Sequence, residues 1–268
     1  MNRSTIAASV TLGQLQHKLD SIANNLANMN TNGFKRRDVS FSELLVQQID
    51  HLQDQTGRLT PLGIRAGHGA SAASTTLRTE QGSLQDTGRM LDIALTEPAY
   101  FFQVLHNGEI EYTRDGSFYF QPSADGQFLN VGTADGALLL GANGPIQIPA
   151  NYKDVSISKN GRVTVTLQNG GTIDAGQIEL ANVHRPQLLQ SAGENRFSAP
   201  LPESGIALGD VLETVNNLEV FSQGVLETSN VDVAEEMAKL LETQRHFQLN
   251  TRSLAISDDM MGLVNKLR

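Results

Sequence analysis

The chain has 268 residues, enough to bury a hydrophobic core of its own. Its formal net charge is −9 and it contains no cysteine, so we expect no disulfide, no cysteine-bound metal and, because acidic surfaces repel phosphate, no nucleic acid partner. No window approaches the roughly 18 apolar residues of a membrane-spanning helix, and the N-terminus lacks the apolar stretch of a cleaved signal peptide, so neither segment is expected.

The first predicted element is a helix from about residue 4 to residue 28. Its apolar residues follow alternating steps of three and four, which form a heptad seam on one helix face: Leu12, Leu15, Leu19, Ile22, Leu26 and Met29. This seam is short, at about two and a half heptads. It can pack on the core of its own domain or against a partner helix.

Asparagine crowds the end of this helix, at positions 24, 25, 28, 30 and 32, before Gly33. Asparagine is a weak helix former because its amide competes for backbone hydrogen bonds, and Asn-Gly pairs end helices. Two interpretations are open. Asn24, Asn25 and Asn28 form hydrogen bonds at or beside a subunit contact, or they cap and solvate their own helix end.

The middle of the chain predicts an extended connector at residues 56–89 and a β domain at residues 90–226. The β prediction depends on recurring Asp-Gly and Asn-Gly pairs, which supply the positive φ angles of tight hairpin turns. The Asp-Gly pairs begin at Asp115, Asp125 and Asp135, and the Asn-Gly pairs begin at Asn107, Asn143, Asn160 and Asn169.

The last predicted element is a long helix within residues 227–268. Ser229 with Asp232, or Asp232 with Glu235, can form a capping box at its start. Acidic residues occupy the first turns, whereas Lys266 and Arg268 lie in the last turn, as the helix dipole favours.

Two lines of apolar residues follow this last helix, each with a seven-residue repeat. The first comprises Leu240, Phe247, Leu254 and Met261, and the second comprises Leu249, Ile256 and Leu263. An offset of two residues places the lines on nearly opposite faces, whereas a helix on one domain surface needs only one stripe. The helix is therefore either enclosed in a core or packed between several neighbouring chains, and the β-rich middle favours neighbouring chains.

Residues for catalysis or ligand binding are not apparent. The six histidines show no paired metal spacing, and no phosphate-binding glycine motif or serine nucleophile motif occurs. We expect no enzyme activity, no metal, no cofactor and no small-molecule substrate. The basic cluster Lys35-Arg36-Arg37 can contact anionic lipid or nucleic acid, but a solvated turn or local ion pairs account for three residues more simply.

Three stretches resemble the flagellar basal-body rod and hook family. Residues 21–36 (SIANNLANMNTNGFKR) resemble its N-terminal signature, and residues 224–233 (GVLETSNVDV) resemble its C-terminal signature. Residues 82–88 (GSLQDTG) and 112–118 (YTRDGSF) resemble the start of its central domain. The resemblance therefore covers both ends and the middle of the chain.

The resemblance implies an α+β fold with a central, mostly antiparallel β domain and long terminal helices that pair and polymerise. It implies a subunit of the rod–hook axis in the basal body, exported by the flagellar type III apparatus and assembling with itself and with other rod and hook subunits. The length and single β domain favour a rod protein, and the motifs lean towards the distal rod. The alternatives are a hook or hook-junction subunit, a wall-remodelling enzyme and a secreted adhesin.

The expected subunit interface lies on the two terminal helices. It consists of Leu12, Leu15, Leu19, Ile22, Asn24, Asn25, Leu26, Asn28, Leu240, Phe247, Leu249, Leu254, Ile256 and Met261.

Overall fold

The structure, a computed structural model, describes residues 3–43, 47–49, 64–66, 70–123, 126–200, 208–216 and 218–266. The chain forms two compact units, each made from separate stretches. Unit 1 comprises Met1–Leu26, Arg37–Thr76 and Val233–Arg268, and unit 2 comprises Ala27–Arg36 and Leu77–Asp232. The sequence divides into an N-terminal helical polymerisation segment at residues 1–55, the connector at 56–89, the β domain at 90–226 and a C-terminal helical polymerisation segment at 227–268. The first of these boundaries lies outside the described residues, and the four-part division stays a prediction.

The helices and strands follow in chain order. They are α1 (Arg3–Ala27), β1 (Arg37–Glu43), β2 (Gln47–Ile49), β3 (Ile64–Ala66), β4 (Ala70–Leu77), β5 (Leu84–Asp86), β6 (Ile93–Leu95), β7 (Tyr100–His106), β8 (Glu109–Thr113), β9 (Tyr119–Pro122), β10 (Phe128–Gly132), β11 (Leu138–Gly141), β12 (Gly144–Pro145), β13 (Gln147–Pro149), β14 (Tyr152–Ile157), β15 (Arg162–Leu167), β16 (Thr172–Gln177), β17 (Leu180–Val183), a 3-10 turn (Pro186–Leu188), β18 (Gln190–Gly193), β19 (Arg196–Ser198), α2 (Leu208–Val211), β20 (Leu212–Val215), β21 (Phe221–Gln223), β22 (Val225–Glu227) and α3 (Val233–Lys266).

Unit 1 contains the two long helices and two small antiparallel strand pairs. β1 pairs with β4, and β2 pairs with β3. Among the described residues, no helix is both long enough and apolar enough to cross a membrane.

The long C-terminal helix begins at Val233, four residues after the first of its two predicted starts. Asn230 instead lies in unit 2, where its Nδ2 donates to the carbonyls of Arg78 and Glu80. The helix therefore starts after Asp232, with Glu235 and Glu236 in its first turn. Of the two predicted capping sequences, Asp232 with Glu235 is the one at the helix start.

Unit 2 is built from antiparallel strands, which confirms the predicted α+β class. One large sheet runs in the order β13-β10-β11-β7-β8-β19-β18, and β14, β15 and β16 form a separate three-stranded sheet. The β7–β8 hairpin turns at Asn107-Gly108 with φ angles of 51° and 86°, as its Asn-Gly pair predicts. Asp125, one of the predicted turn residues, lies outside the described residues.

The prediction of a hairpin turn at Asp115-Gly116 is wrong. Gly116 is absent from the residues with positive φ among those described, and the Asp115 carboxylate instead accepts hydrogen bonds from the backbone and hydroxyl of Ser117. A Cβ at position 116 would lie 1.7 Å from the Ile93 carbonyl oxygen. Gly116 therefore allows two backbone segments to lie close together, and it does not form a hairpin turn.

Strand β7 lies at the centre of the core and is buried on both faces. Phe102 packs in the larger apolar cluster, edge-on to Phe118 at 5.2 Å between ring centroids. Phe101 points to the opposite face of the strand and packs on Phe197 in a smaller cluster. Alternation along one strand thus joins two parts of the core of unit 2.

Candidate subunit interface

The two apolar lines of α3 differ in exposure within the single chain. Of the first line, Leu240, Phe247 and Leu254 are half-buried and Met261 is 40% exposed. The second line is exposed throughout, at 65% for Leu249, 53% for Ile256 and 62% for Leu263. One chain therefore covers one face of this helix, and the three apolar side chains of the second line face outward on the other.

The apolar seam of α1 is better covered. Ile22 is buried, whereas Leu12, Leu15, Leu19 and Leu26 are half-buried. Near the start of the helix, Ile6 and Val10 are exposed. The coverage of α1 thus increases towards its C-terminal end, where the asparagine cluster begins.

Asn25 is 1% exposed and joins three parts of unit 1. Its Nδ2 donates to the Arg37 carbonyl at 3.0 Å and to Glu236 Oε2 at 3.1 Å, while its Oδ1 accepts from the Arg37 N–H at 3.0 Å. The amide thereby pairs with the backbone at the start of β1 as a neighbouring strand would, and it connects α1, β1 and α3. All of these bonds lie within one chain.

The other two predicted asparagines have different surroundings. The side chain of Asn24 is exposed. Asn28 is half-buried, and its Oδ1 and backbone carbonyl accept from the hydroxyl and the N–H of Thr31 at 3.2 Å and 3.1 Å. Asn28 therefore closes the turn after α1, as the interpretation of a local cap predicts, whereas a subunit contact of the asparagine cluster stays a prediction.

Glu236 completes the polar contact of Asn25, and the sequence interpretation missed it. Its carboxylate is 1% exposed and accepts from Lys239 Nζ at 3.0 Å. Lys239 also contacts Glu235 at 2.9 Å and Asp38 at 3.6 Å. Burial, the largest single effect, lowers the pKa of Lys239, but the acidic partners outweigh it and the pKa is raised. The i,i+3 spacing of Glu236 and Lys239 was the available sequence signal.

A second buried polar group, here called the ionic cluster, lies in unit 2 and consists of Lys35, Arg114 and Glu227. Lys35 Nζ and Arg114 Nε each lie 2.6 Å from one carboxylate oxygen of Glu227. The three side chains are 1%, 0% and 2% exposed, respectively. Backbone groups complete the set, because Lys35 donates to the Glu80 carbonyl, Arg114 donates to the carbonyls of Leu95 and Tyr100, and Glu227 accepts from the Gly82 N–H.

Burial and charge oppose each other in the ionic cluster. Burial is the largest effect on each group, and it lowers the pKa of Lys35 and of Arg114 despite the neighbouring carboxylate. For Glu227 burial alone raises the pKa, but Arg114 and Lys35 together outweigh burial, so the pKa of this carboxyl is lowered. Glu227 is therefore held ionised between two cations.

These contacts resolve the interpretation of the basic cluster at residues 35–37. Lys35 is buried in the ionic cluster, and Arg36 lies 3.4 Å from Glu80. Both residues therefore form ion pairs, but their partners are 192 and 44 positions away rather than local, and Lys35 is buried rather than solvated. Among the described residues, no group of three or more histidine, aspartate and glutamate side chains could hold a metal ion.

Known proteins match the chain along its whole length. Residues 7–35, 99–165 and 222–267 match families described as "Flagella basal body rod protein", "Flagellar hook protein FlgE/F/G D1 domain" and "Flagellar basal body rod FlgEFG protein C-terminal". The flagellar hook-basal body complex protein FlhP of Bacillus subtilis is 41% identical over 276 residues, covering 100% of both chains. The chain belongs to the family of flagellar basal-body rod and hook proteins.

Rod proteins of this family are also similar over their full length. The flagellar basal-body rod protein FlgG of Borreliella burgdorferi is 32% identical, covering 100% of this chain and 99% of its own. FlgG of Bacillus subtilis is 31% identical and covers 100% of both chains. Family membership makes the chain a structural component of the flagellar basal body and not an enzyme. This excludes the wall-remodelling enzyme and the adhesin as alternatives.

Proposed function

We propose that this chain is a subunit of the flagellar rod that polymerises through α1 and α3. The outward line Leu249, Ile256 and Leu263 carries the proposal, because each side chain is more than half exposed in one chain. Apolar stripes of this kind mark interaction surfaces. Neighbouring copies of the same helices, and those of other rod and hook subunits, are the partners that would cover the line.

The half-buried line on the opposite face supports pairing of α3 with α1 in the same subunit. Asn25 of α1 and Glu236 of α3 already share a hydrogen bond at 3.1 Å. In the proposed subunit the contact continues along Leu240, Phe247 and Leu254 and along the seam of α1. The two faces of α3 then have separate partners, one within the subunit and one outside it.

An aspartate scan of α3 tests this proposal. Leu254→Asp and Ile256→Asp place a carboxylate on the two opposite lines, and Ala255→Asp is the matched control because it lies about 100° from both. We expect Leu254→Asp and Ile256→Asp to be exported but absent from purified basal bodies, because burying an unpaired carboxylate costs several kcal/mol. Ala255→Asp is expected to enter basal bodies.

The readout separates assembly from folding and export. Blotting of culture supernatants and of purified basal bodies gives the exported and the incorporated amounts for each variant. Normal incorporation of Ile256→Asp would contradict a contact on the outward line. Loss of all three variants from basal bodies, the control included, would show that the effect does not depend on the apolar lines.

A rod rather than a hook position is proposed from the relatives. Full-length similarity to several proteins named FlgG supports a rod subunit, whereas the relative FlhP is named only for the hook-basal body complex. A distal rod position and passage through the flagellar type III apparatus belong to the same proposal. Gold labelling of a tagged chain in basal bodies, imaged with and without attached hooks, would distinguish the rod from the hook and its junction.

A further inference from the structure

Four hydrogen bonds within unit 2 hold residues 33–36 to residues 227–230. The Gly33 N–H donates to the Glu227 carbonyl at 2.8 Å, and Lys35 Nζ donates to the Glu227 carboxylate at 2.6 Å. The Arg36 N–H donates to Asn230 Oδ1 at 2.8 Å, and the Asn230 N–H donates back to the Phe34 carbonyl at 3.4 Å. Lys35 and Glu227 are 192 positions apart, so two distant stretches of chain are joined side by side.

The charges in the ionic cluster make this joint depend on Glu227. Two buried cations share one carboxylate, and their other partners are backbone carbonyls. Without that carboxylate, Lys35 would be buried beside the like charge of Arg114. Removing one partner of a buried ion pair is strongly unfavourable because it leaves an uncompensated charge. The observed position of residues 33–36 therefore depends on the carboxylate of Glu227.

Close packing fixes the position in which this segment docks. Gly33 has a φ of +65°, and a Cβ there would lie 2.5 Å from the carbonyl carbon and oxygen of Arg114. The backbone at position 33 thus lies directly on the backbone at Arg114, the residue that contributes the second cation. Lys35 follows two residues later, and its Nζ lies 2.6 Å from the Glu227 carboxylate.

We propose that Glu227 is a latch that orders the folding of unit 2, so that residues 27–36 dock on the β strands only after residues 227–230 are in place. The proposal concerns a single chain and stands whether or not chains polymerise. Its consequence is that the N-terminal signature stays undocked until the C-terminal signature has joined the same unit.

Hydrogen exchange of the full chain tests the dependence on charge. In Glu227→Gln we expect the amides of residues 27–36 to exchange on the order of 100-fold faster, because both cations lose their carboxylate. The amides of β7 and β8 are expected to change far less. Glu111→Gln is the matched control, since Glu111 is also buried and lies 2.6 Å from an arginine, Arg196, but does not contact residues 33–36.

A double variant distinguishes charge from packing. Lys35→Met with Glu227→Gln removes the cation that repels Arg114 and keeps a side chain of similar length. We expect exchange at residues 27–36 to slow by at least about 10-fold relative to Glu227→Gln alone. If the double variant exchanges at residues 27–36 as fast as Glu227→Gln alone, the proposal is wrong. It is also wrong if Glu111→Gln accelerates exchange at these residues to the same extent.

Pulse labelling of the unaltered chain tests the order of folding and does not require any variant to fold. During refolding, amides of β7 and β8 are expected to become protected first. Amides of residues 33–36 are expected to gain protection after those of residues 225–228, which bond to residues 83–86. Protection of residues 33–36 before, or together with, residues 225–228 would show that docking does not wait for Glu227, and the proposal would be wrong.

Discussion

Strand β7 and the outward line of α3 both contain large apolar side chains, but these side chains differ in their exposure to solvent. In β7, residues 101–104 are all buried. In α3, Leu249, Ile256 and Leu263 are each more than half exposed. Burial of apolar surface contributes roughly 25 cal/mol per Å², so β7 stabilises the single chain whereas the outward line of α3 does not. The free energy available from that line can be gained only on contact with something else.

The largest expected effect comes from truncating one apolar side chain in each of these two regions to alanine. Phe102→Ala removes a side chain that is 0% exposed and packs on Phe118. We expect unit 2 to lose about 3–5 kcal/mol of stability in urea unfolding followed by circular dichroism. Ile256→Ala in the isolated chain is expected to change stability by no more than about 0.5 kcal/mol, because its side chain is exposed. A large loss in Ile256→Ala would mean that one chain already covers the outward line.

Local sequence patterns were sufficient to predict both α3 and the hairpin turn that follows β7. The seven-residue repeats identify α3, and their offset identifies its two faces before any coordinates are known. Asn107-Gly108 identifies the β7–β8 turn. Asp115-Gly116 was misread because an Asp-Gly pair also suits a loop in which the aspartate binds its own backbone and the glycine admits another strand.

The two buried polar groups could not be predicted from the sequence. Asn25 and Glu236 are 211 positions apart, and Lys35 and Glu227 are 192 positions apart. No periodicity connects such residues, because their proximity depends on which stretches of chain fold together. The motif contains both Asn25 and Lys35. The sequence predicts a subunit contact or a helix-end cap for Asn25 and a basic cluster for Lys35, whereas both side chains are buried.

The second prediction compares two carboxyl groups of unit 2, the buried Glu227 and the half-buried Asp115, by their pH dependence. The pKa of Glu227 is lowered from 4.5 because Arg114 and Lys35 together outweigh burial, whereas burial raises the pKa of Asp115 above 3.8 despite hydrogen bonds from Ser117. Ionised Glu227 stabilises the fold above pH 4.5, and this contribution is lost as the pH falls through its folded pKa. The contribution of Asp115 has the opposite sign and is lost as the pH rises through its raised pKa.

Urea titrations between about pH 3 and pH 7 measure both contributions. At pH 7, Glu227→Gln is expected to lower stability by about 3–5 kcal/mol. The loss should shrink on acidification, because the unaltered chain then loses the same charge. Asp115→Asn is expected to cause no loss at pH 7, since it removes a partly desolvated charge and keeps the oxygen that accepts from Ser117. A Glu227→Gln loss that did not change with pH would contradict a role for the charge.

The smallest expected effects compare two adjacent asparagines. Asn25→Ala removes three hydrogen bonds and leaves the buried Glu236 with one partner fewer, so we expect unit 1 to lose about 1–3 kcal/mol. Asn24 is exposed, and Asn24→Ala is expected to raise the stability of α1 by up to about 0.7 kcal/mol because alanine is the better helix former. Helix content and urea unfolding of the isolated chain measure both changes.

Incorporation into basal bodies then decides what Asn24 does. Asn24 is a weak helix former on an exposed part of α1, and we expect its amide to take part in a contact with a neighbouring subunit. Asn24→Ala should therefore be exported normally, have a slightly more stable helix and yet enter basal bodies less well. Gln16→Ala removes an exposed amide elsewhere on α1 and should be incorporated normally. Full incorporation of Asn24→Ala would leave Asn25 as the structural asparagine of the pair and assign Asn24 no role at a subunit contact.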